Sequence, residues 1–122
     1  MKNKPFHKRL GFALVGIAEG WRNERSFRTH VFSAAAAIAA LCILRPGAVW
    51  WAIILLTIAL VLSAELVNAA FEGLIDHLHP EIHPRIRIVK DMAAGAVLIA
   101  AVAALLVAAA LAVDLGWVSR LL

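Results

Sequence analysis

The chain has 122 residues, of which 63% are hydrophobic and only 16% charged. Soluble domains are about half apolar and about a quarter charged, and a chain this short has too little interior to hide the excess. An ordinary water-soluble domain and a disordered tail are therefore excluded, and an integral membrane protein remains. Twelve Lys and Arg against eight Asp and Glu leave a formal charge of +4. With most of the chain in lipid, that excess points to anionic headgroups or a phosphate-bearing ligand, and not to nucleic acid. Cys42 is the single cysteine, so no internal disulfide or cysteine-pair zinc site can form.

The N-terminal segment carries Phe6, Leu10, Leu14, Ile17 and Trp21 at steps of three and four, with Lys8, Arg9, Glu19 and Arg22 elsewhere around the wheel. This predicts an amphipathic helix on the membrane surface, over about residues 5–27. A signal peptide cleaved after Gly16-x-Ala18 is the rival reading. Its apolar run would be short, and acidic and basic residues follow at once.

Uncharged stretches follow at 29–44, 46–64 and 92–113, of 16, 19 and 22 residues. A spanning helix needs about 20 apolar residues. Three transmembrane helices are expected, near 29–45, 49–72 and 92–117, the first helped by snorkelling of Arg28 and Arg45. Arg45-Pro46-Gly47 is a tight turn, and a longer polar connection is expected over about 77–90. The fold class is thus all-α, with three transmembrane helices and a surface helix in one domain over 1–122.

Ten basic residues lie before the first span or in the second loop, and only Arg45 and Arg120 lie on the opposite side. The N-terminus and the loop 77–90 are therefore expected in the cytoplasm. The helices are rich in alanine, which permits close approach, and self-association is a reasonable companion expectation.

Charged residues inside a membrane helix are expensive and usually functional. At about 100° per residue, Glu65, Asn68, Glu72 and Asp76 fall on one stripe of the second span. Stacked carboxylates repel, so bound cations, basic partners or shared protons must offset them. Glu24 before the first span and Lys90-Asp91 at the start of the third lie at the same membrane level. Carboxylates for a divalent metal, a lysine for phosphate and one deeper carboxylate together suit phosphoryl transfer. Glu65 is the deepest, and withdrawal from water makes a carboxylate a better base. His77, His79 and His83 are too loosely spaced, and too closely flanked by Pro80 and Pro84, to favour zinc over an interfacial loop. Neither GxxxxGK[ST] nor GxGxxG occurs.

These residues resemble the small bacterial membrane lipid kinases, the diacylglycerol kinase and undecaprenol kinase family. The resemblance runs from about Phe12 to about Leu106. Its core is the segment from Glu65 to Asp76, joined by Pro80-Glu81-Ile82-His83-Pro84, by Ile88-Val89-Lys90-Asp91-Met92 through Leu98, and by Asn23-Glu24-x-x-Phe27-Arg28. It implies a homotrimer in the bacterial inner membrane, with active sites shared between subunits. It implies Glu65 as the base that takes the lipid hydroxyl proton, and Glu24 and Glu72 as ligands of Mg2+ accompanying ATP. Phe12, Glu81, Ile82, His83, Lys90 and Asp91, with the two metal-binding glutamates, match ATP-contacting positions. Asn68 and Ala94 join Glu65 on the lipid substrate. Ile82 and Phe12 depart from the pattern, standing where diacylglycerol kinases can carry tyrosines. The run Ala93-Ala94-Gly95-Ala96-Val97, His83-Pro84 and the segment from Glu24 to His30 are closer to the undecaprenol branch. The expected activity is ATP- and Mg2+-dependent phosphorylation of a membrane lipid alcohol, undecaprenol or diacylglycerol, with a preference for undecaprenol. Two other classes remain: a small proton or cation transporter using Glu65 and Glu72, and a non-enzymatic scaffold. The transporter would need a polar path across the whole membrane, and the scaffold leaves the acidic stripe unexplained.

Overall fold

The computed structural model describes residues 2–116, which form four helices and, among the described residues, no strand. They are α1 (Phe6–Asn23), α2 (Arg25–Leu44), α3 (Ala48–Leu78) and α4 (Pro84–Asp114). The last three are long and apolar enough to cross a membrane. Trp117 and Arg120, which bear on the expected third span and on the charge asymmetry, lie outside the described residues.

The surface helix is shorter than its periodicity suggests. Glu24 adopts an extended conformation (φ −114°, ψ 107°) and breaks the chain between α1 and α2, so residues 25–27 begin the next helix. Arg28 fixes the corner by donating from Nη1 to the carbonyls of Trp21 and Arg22 at 2.8 and 3.0 Å. A cation on the last carbonyls of a helix satisfies orphan acceptors and suits the dipole.

α2 stops at Arg45, whose left-handed conformation (φ 51°) lets its N–H bond Leu41 before Pro46 ends the pattern. Such a backbone costs a side-chain-bearing residue about 1–2 kcal/mol. The other connection is also short. α3 runs on to Leu78 and α4 begins at Pro84, leaving 79–83 where a loop over 77–90 was expected. Charge ends an apolar stretch but does not end a helix; proline does. Pro84 occupies the first turn of α4, where its missing N–H costs nothing, and His83 caps that helix by accepting from the Arg85 N–H.

At a rise of about 1.5 Å per residue, 31 residues reach about 46 Å, against about 30 Å of hydrocarbon. The surplus lies at the loop end, because the uncharged stretches 46–64 and 92–113 sit toward the Pro46-Gly47 turn. α3 and α4 therefore project beyond the lipid together, carrying Glu72, Asp76, Lys90 and Asp91.

α3 and α4 form the main packing, α2 leans on α3 but not on α4, and α1 touches α2 and α3. Leu41, Ile54 and Leu111 are buried near the turn end, flanked by Trp50, Trp51 and Val107. There Trp50 Nε1 donates to Asp114 Oδ2 at 2.8 Å, tying the start of α3 to the end of α4. Because α2 and α4 do not pack together, a groove of about 360 Å³ opens between them across α3. Phe32, Leu56, Leu105 and many other large apolar side chains are exposed on the single chain, as lipid-facing helices require.

Candidate active site

The expected acidic stripe is present on α3, with burial falling toward the loop end. Glu65 is buried, Asn68 and Glu72 are half-buried, and Asp76 is exposed. Two of the three carboxylates have basic partners from other helices. His30 Nε2 of α2 lies 3.0 Å from Glu65 Oε1. Lys90 of α4 bonds Asp76 through Nζ to Oδ1. Glu72 has neither a hydrogen bond nor an ion pair. The repulsion anticipated from the sequence is thus relieved at both ends of the stripe and not in the middle.

Glu65, only 7% exposed, owes its burial to the corner between α1 and α2. Gly20, in the last turn of α1, is buried against α3 and the Phe27 ring. A Cβ on it would come within 2.5 Å of the Leu66 side chain. Glycine here lets the surface helix approach α3 closely at the turn adjoining Glu65; a methyl would fit only if the end of the Leu66 side chain turned aside. Phe27, 4% exposed, fills the same corner at the start of α2. One residue after α1 ends, Glu24 sits half-buried in the break, its N–H bonded to the Gly20 carbonyl at 2.9 Å. Its carboxylate makes no cap hydrogen bond and no ion pair.

The groove between α2, α3 and α4 leads toward Glu65. Its wall includes Ala34 and Ala37 of α2, Ile58 and Val61 of α3, and Ala101 and Ala108 of α4. Val61 stands one turn before Glu65, and His30 ends the lining on α2. The hydroxyls of Ser33 and Thr57 donate back to Thr29 and Ile53 of their own helices. The groove therefore suits a hydrocarbon chain, with a polar pair at its loop end. A second hollow of about 280 Å³ between α3 and α4 is lined by Asn68 with Ser63, Val67, Phe71, Ala93 and Ala96. Asn68 Oδ1 is buried and has no hydrogen-bond partner, which is costly unless a donor from a ligand, a water or another copy reaches it.

The remaining expected residues are more dispersed. Asp91 is exposed, its Oδ1 3.9 Å from Arg87 Nε. Glu81 receives His79 Nδ1 at 3.3 Å, and Ile82 is fully exposed at the loop tip. His83 is occupied as the α4 cap, with its ring 5.9 Å from that of His79. Phe12 on α1 and Ala94 on α4 are exposed. Among the described residues, Phe12, Glu24, Glu72 and Ala94 make no side-chain hydrogen bond or ion pair. Among the described residues, no three His, Cys, Asp or Glu side chains gather in a cation-holding group, His77, His79 and His83 included. A nucleotide-borne magnesium needs less, because it commonly takes one or two carboxylates plus phosphate oxygens and water. Glu24 and Glu72, both unpaired oxygen donors, fit that requirement.

His30 is the residue whose place at the site the sequence did not disclose. A single histidine in an alanine-rich helix carries no periodic signal, and its partner lies 35 positions away.

Residues 11–112 match the family model described as prokaryotic diacylglycerol kinase. The chain is 39% identical over 97 residues to a diacylglycerol kinase of Synechocystis sp., covering 79% of this chain and 55% of the relative. It thus spans about half the length of that protein. It is 37% identical to the undecaprenol kinase of Bacillus subtilis, over 80% of this chain and 79% of the relative. It is 30% identical to the diacylglycerol kinase of Escherichia coli, over 81% of each.

Proposed function

The chain belongs to the prokaryotic diacylglycerol kinase family, and on that premise we propose that it is a lipid kinase transferring the γ-phosphate of ATP to the hydroxyl of a membrane lipid alcohol. The observation that carries this reading is Glu65, buried and paired with the His30 that lines the loop end of an apolar groove. A lipid chain lying between α2 and α4 brings its hydroxyl to that carboxylate at the membrane surface. Glu65 takes the proton as the alcohol oxygen bonds to the γ-phosphorus, and ADP leaves. Lys90 and Asp91, on the part of α4 that projects beyond the lipid, meet the nucleotide together with Glu81, Ile82 and His83 of the loop and Phe12 of the surface helix. Lys90 exchanges Asp76 for phosphate oxygens. Glu24 and Glu72 hold Mg2+, which neutralises phosphate charge when bound. Asn68 and Ala94 complete the lipid side of the site.

Relatives named for diacylglycerol and for undecaprenol stand at nearly equal identity, 39% and 37%. The preference for undecaprenol therefore rests on the residues of the 24–30, 83–84 and 93–97 segments. The protein acts as a homotrimer in the bacterial inner membrane, with the loop end and N-terminus in the cytoplasm. The exposed apolar faces and the unpartnered Asn68 support such assembly. Ion transport is less well supported, because the groove wall offers no polar relay beyond His30.

Purified protein in mixed micelles, given labelled ATP, magnesium, and undecaprenol or diacylglycerol, tests the reading. Glu65→Gln is expected to remain folded and to lose about 10²–10⁴-fold in turnover, the usual contribution of a positioned base. Near-normal transfer in that variant would refute the role of Glu65. Absence of transfer to either lipid by folded wild-type protein would refute the kinase.

A further inference from the structure

Several features converge on His30. Its Nε2 lies 3.0 Å from Glu65 Oε1, and neither side chain has another partner. It lines the loop end of the apolar groove, and the wall on α3 reaches Val61 and Leu62, one turn short of Glu65. The other polar side chains of that wall, Ser33 and Thr57, have committed their protons to their own helices. The imidazole is thus the polar group with unused hydrogen-bonding capacity beside an apolar ligand's path.

We propose that His30 is a positioning residue for Glu65. Its Nε2–H donates to Oε1 and holds the carboxylate in one rotamer, leaving Oε2 as the oxygen that accepts the hydroxyl proton of a lipid alcohol whose chain occupies the groove. The inference rests on the kinase reading above and deepens it. In the step it serves, the hydroxyl O–H bond breaks and the proton passes to Oε2. The alcohol oxygen bonds to the γ-phosphorus, and the bond to the bridging oxygen breaks, its electron pair leaving on ADP. A glutamate side chain has three rotatable bonds, and without the imidazole its carboxylate would sample several orientations. Misplacement of a reacting group by about 1 Å can cost about 100-fold in rate.

The full chain in mixed micelles provides the test. His30→Ala is expected to lower kcat by about 100-fold while leaving the KM for ATP unchanged. His30→Gln, whose amide nitrogen supplies a donor near the position of Nε2, is expected to restore most of the loss. A merely structural role would not give that split or that rescue. In ¹⁵N-histidine-labelled protein, the His30 Nε2–H resonance is expected to move on Glu65→Ala. Wild-type turnover beside an unaffected His30→Ala would overturn this proposal and leave the kinase intact. Equal losses in the Ala and Gln variants would also overturn it. A His30 resonance unmoved by Glu65→Ala would overturn the pairing whatever the activity. Wild-type protein that phosphorylates neither lipid would overturn the kinase reading, and the positioning role with it.

Discussion

Gly20 sets how closely the surface helix approaches α3, and enlarging it separates packing from chemistry. A Cβ added there meets the Leu66 side chain at 2.5 Å and the Phe27 ring at 3.7 Å. In Gly20→Ala the encounter is with the far end of a flexible side chain. Turning Leu66 off its rotamer costs about 0.5–1.5 kcal/mol, against up to about 1 kcal/mol gained from replacing glycine in a helix. The two nearly cancel. Gly20→Leu places three further carbons in the same gap, where overpacking costs about 1–3 kcal/mol. The helix end must then lift from α3 and carry the Gly20–Glu24 hydrogen bond with it. Thermal unfolding in detergent should therefore find Gly20→Ala close to wild type and Gly20→Leu clearly destabilised. A magnesium titration of kinase activity should show Gly20→Leu needing more metal, because Glu24 is displaced, and Gly20→Ala needing no more than wild type. A Gly20→Leu protein as stable as wild type, with an unchanged magnesium requirement, would refute the close approach and the placement of Glu24 that depends on it.

Two other outcomes follow from pairs at opposite ends of the bundle. The Lys90–Asp76 pair is one-third to two-thirds exposed, so it is worth at most about 1 kcal/mol. Asp76→Asn should barely change the melting temperature, and it should lower the KM for ATP by up to about five-fold, since about 1.4 kcal/mol is a factor of ten. A raised KM would show that Asp76 itself serves the nucleotide. At the turn end, Trp50→Phe removes the indole donor to Asp114 and should cost about 1 kcal/mol of stability by thermal unfolding. Its kcat should match wild type, and a large loss would mean that the turn end is coupled to Glu65.

The helices were legible in the sequence because lipid imposes a length and a composition, and the stripe was legible because 3.6-residue periodicity puts Glu65, Asn68, Glu72 and Asp76 together on any α-helix. Helix ends were harder to read. The charges at 65–76 and 85–91 mark where lipid stops, but only Pro80 and Pro84 stop the helices, so α3 and α4 project further than apolar length suggested. The surface helix ended early because Glu24 breaks it, a local conformation with no composition signal. Partners were the least legible. His30 meets Glu65, and Lys90 meets Asp76, only because three helices converge. Such pairings belong to tertiary geometry, which no spacing within one helix encodes.

Those pairings also bear on what the stripe demands of its surroundings. A row of three carboxylates on one helix could call for three counter-charges, yet the fold supplies partners to the first and the last. Glu65, the most deeply buried, receives an imidazole, which on this reading orients it. Asp76, in water, receives a flexible lysine that a phosphate can take over. Glu72 and Glu24 receive nothing, although each is half-buried at the membrane boundary. An unpaired half-buried carboxylate is a standing cost that a fold retains when something else is to neutralise it. Two such groups, one on α3 and one just past the end of α1, are oxygen donors of the kind a divalent cation takes. On the kinase reading, the base keeps its imidazole, Lys90 can pass from Asp76 to phosphate, and Glu72 and Glu24 are the carboxylates left open to a metal that arrives with the nucleotide.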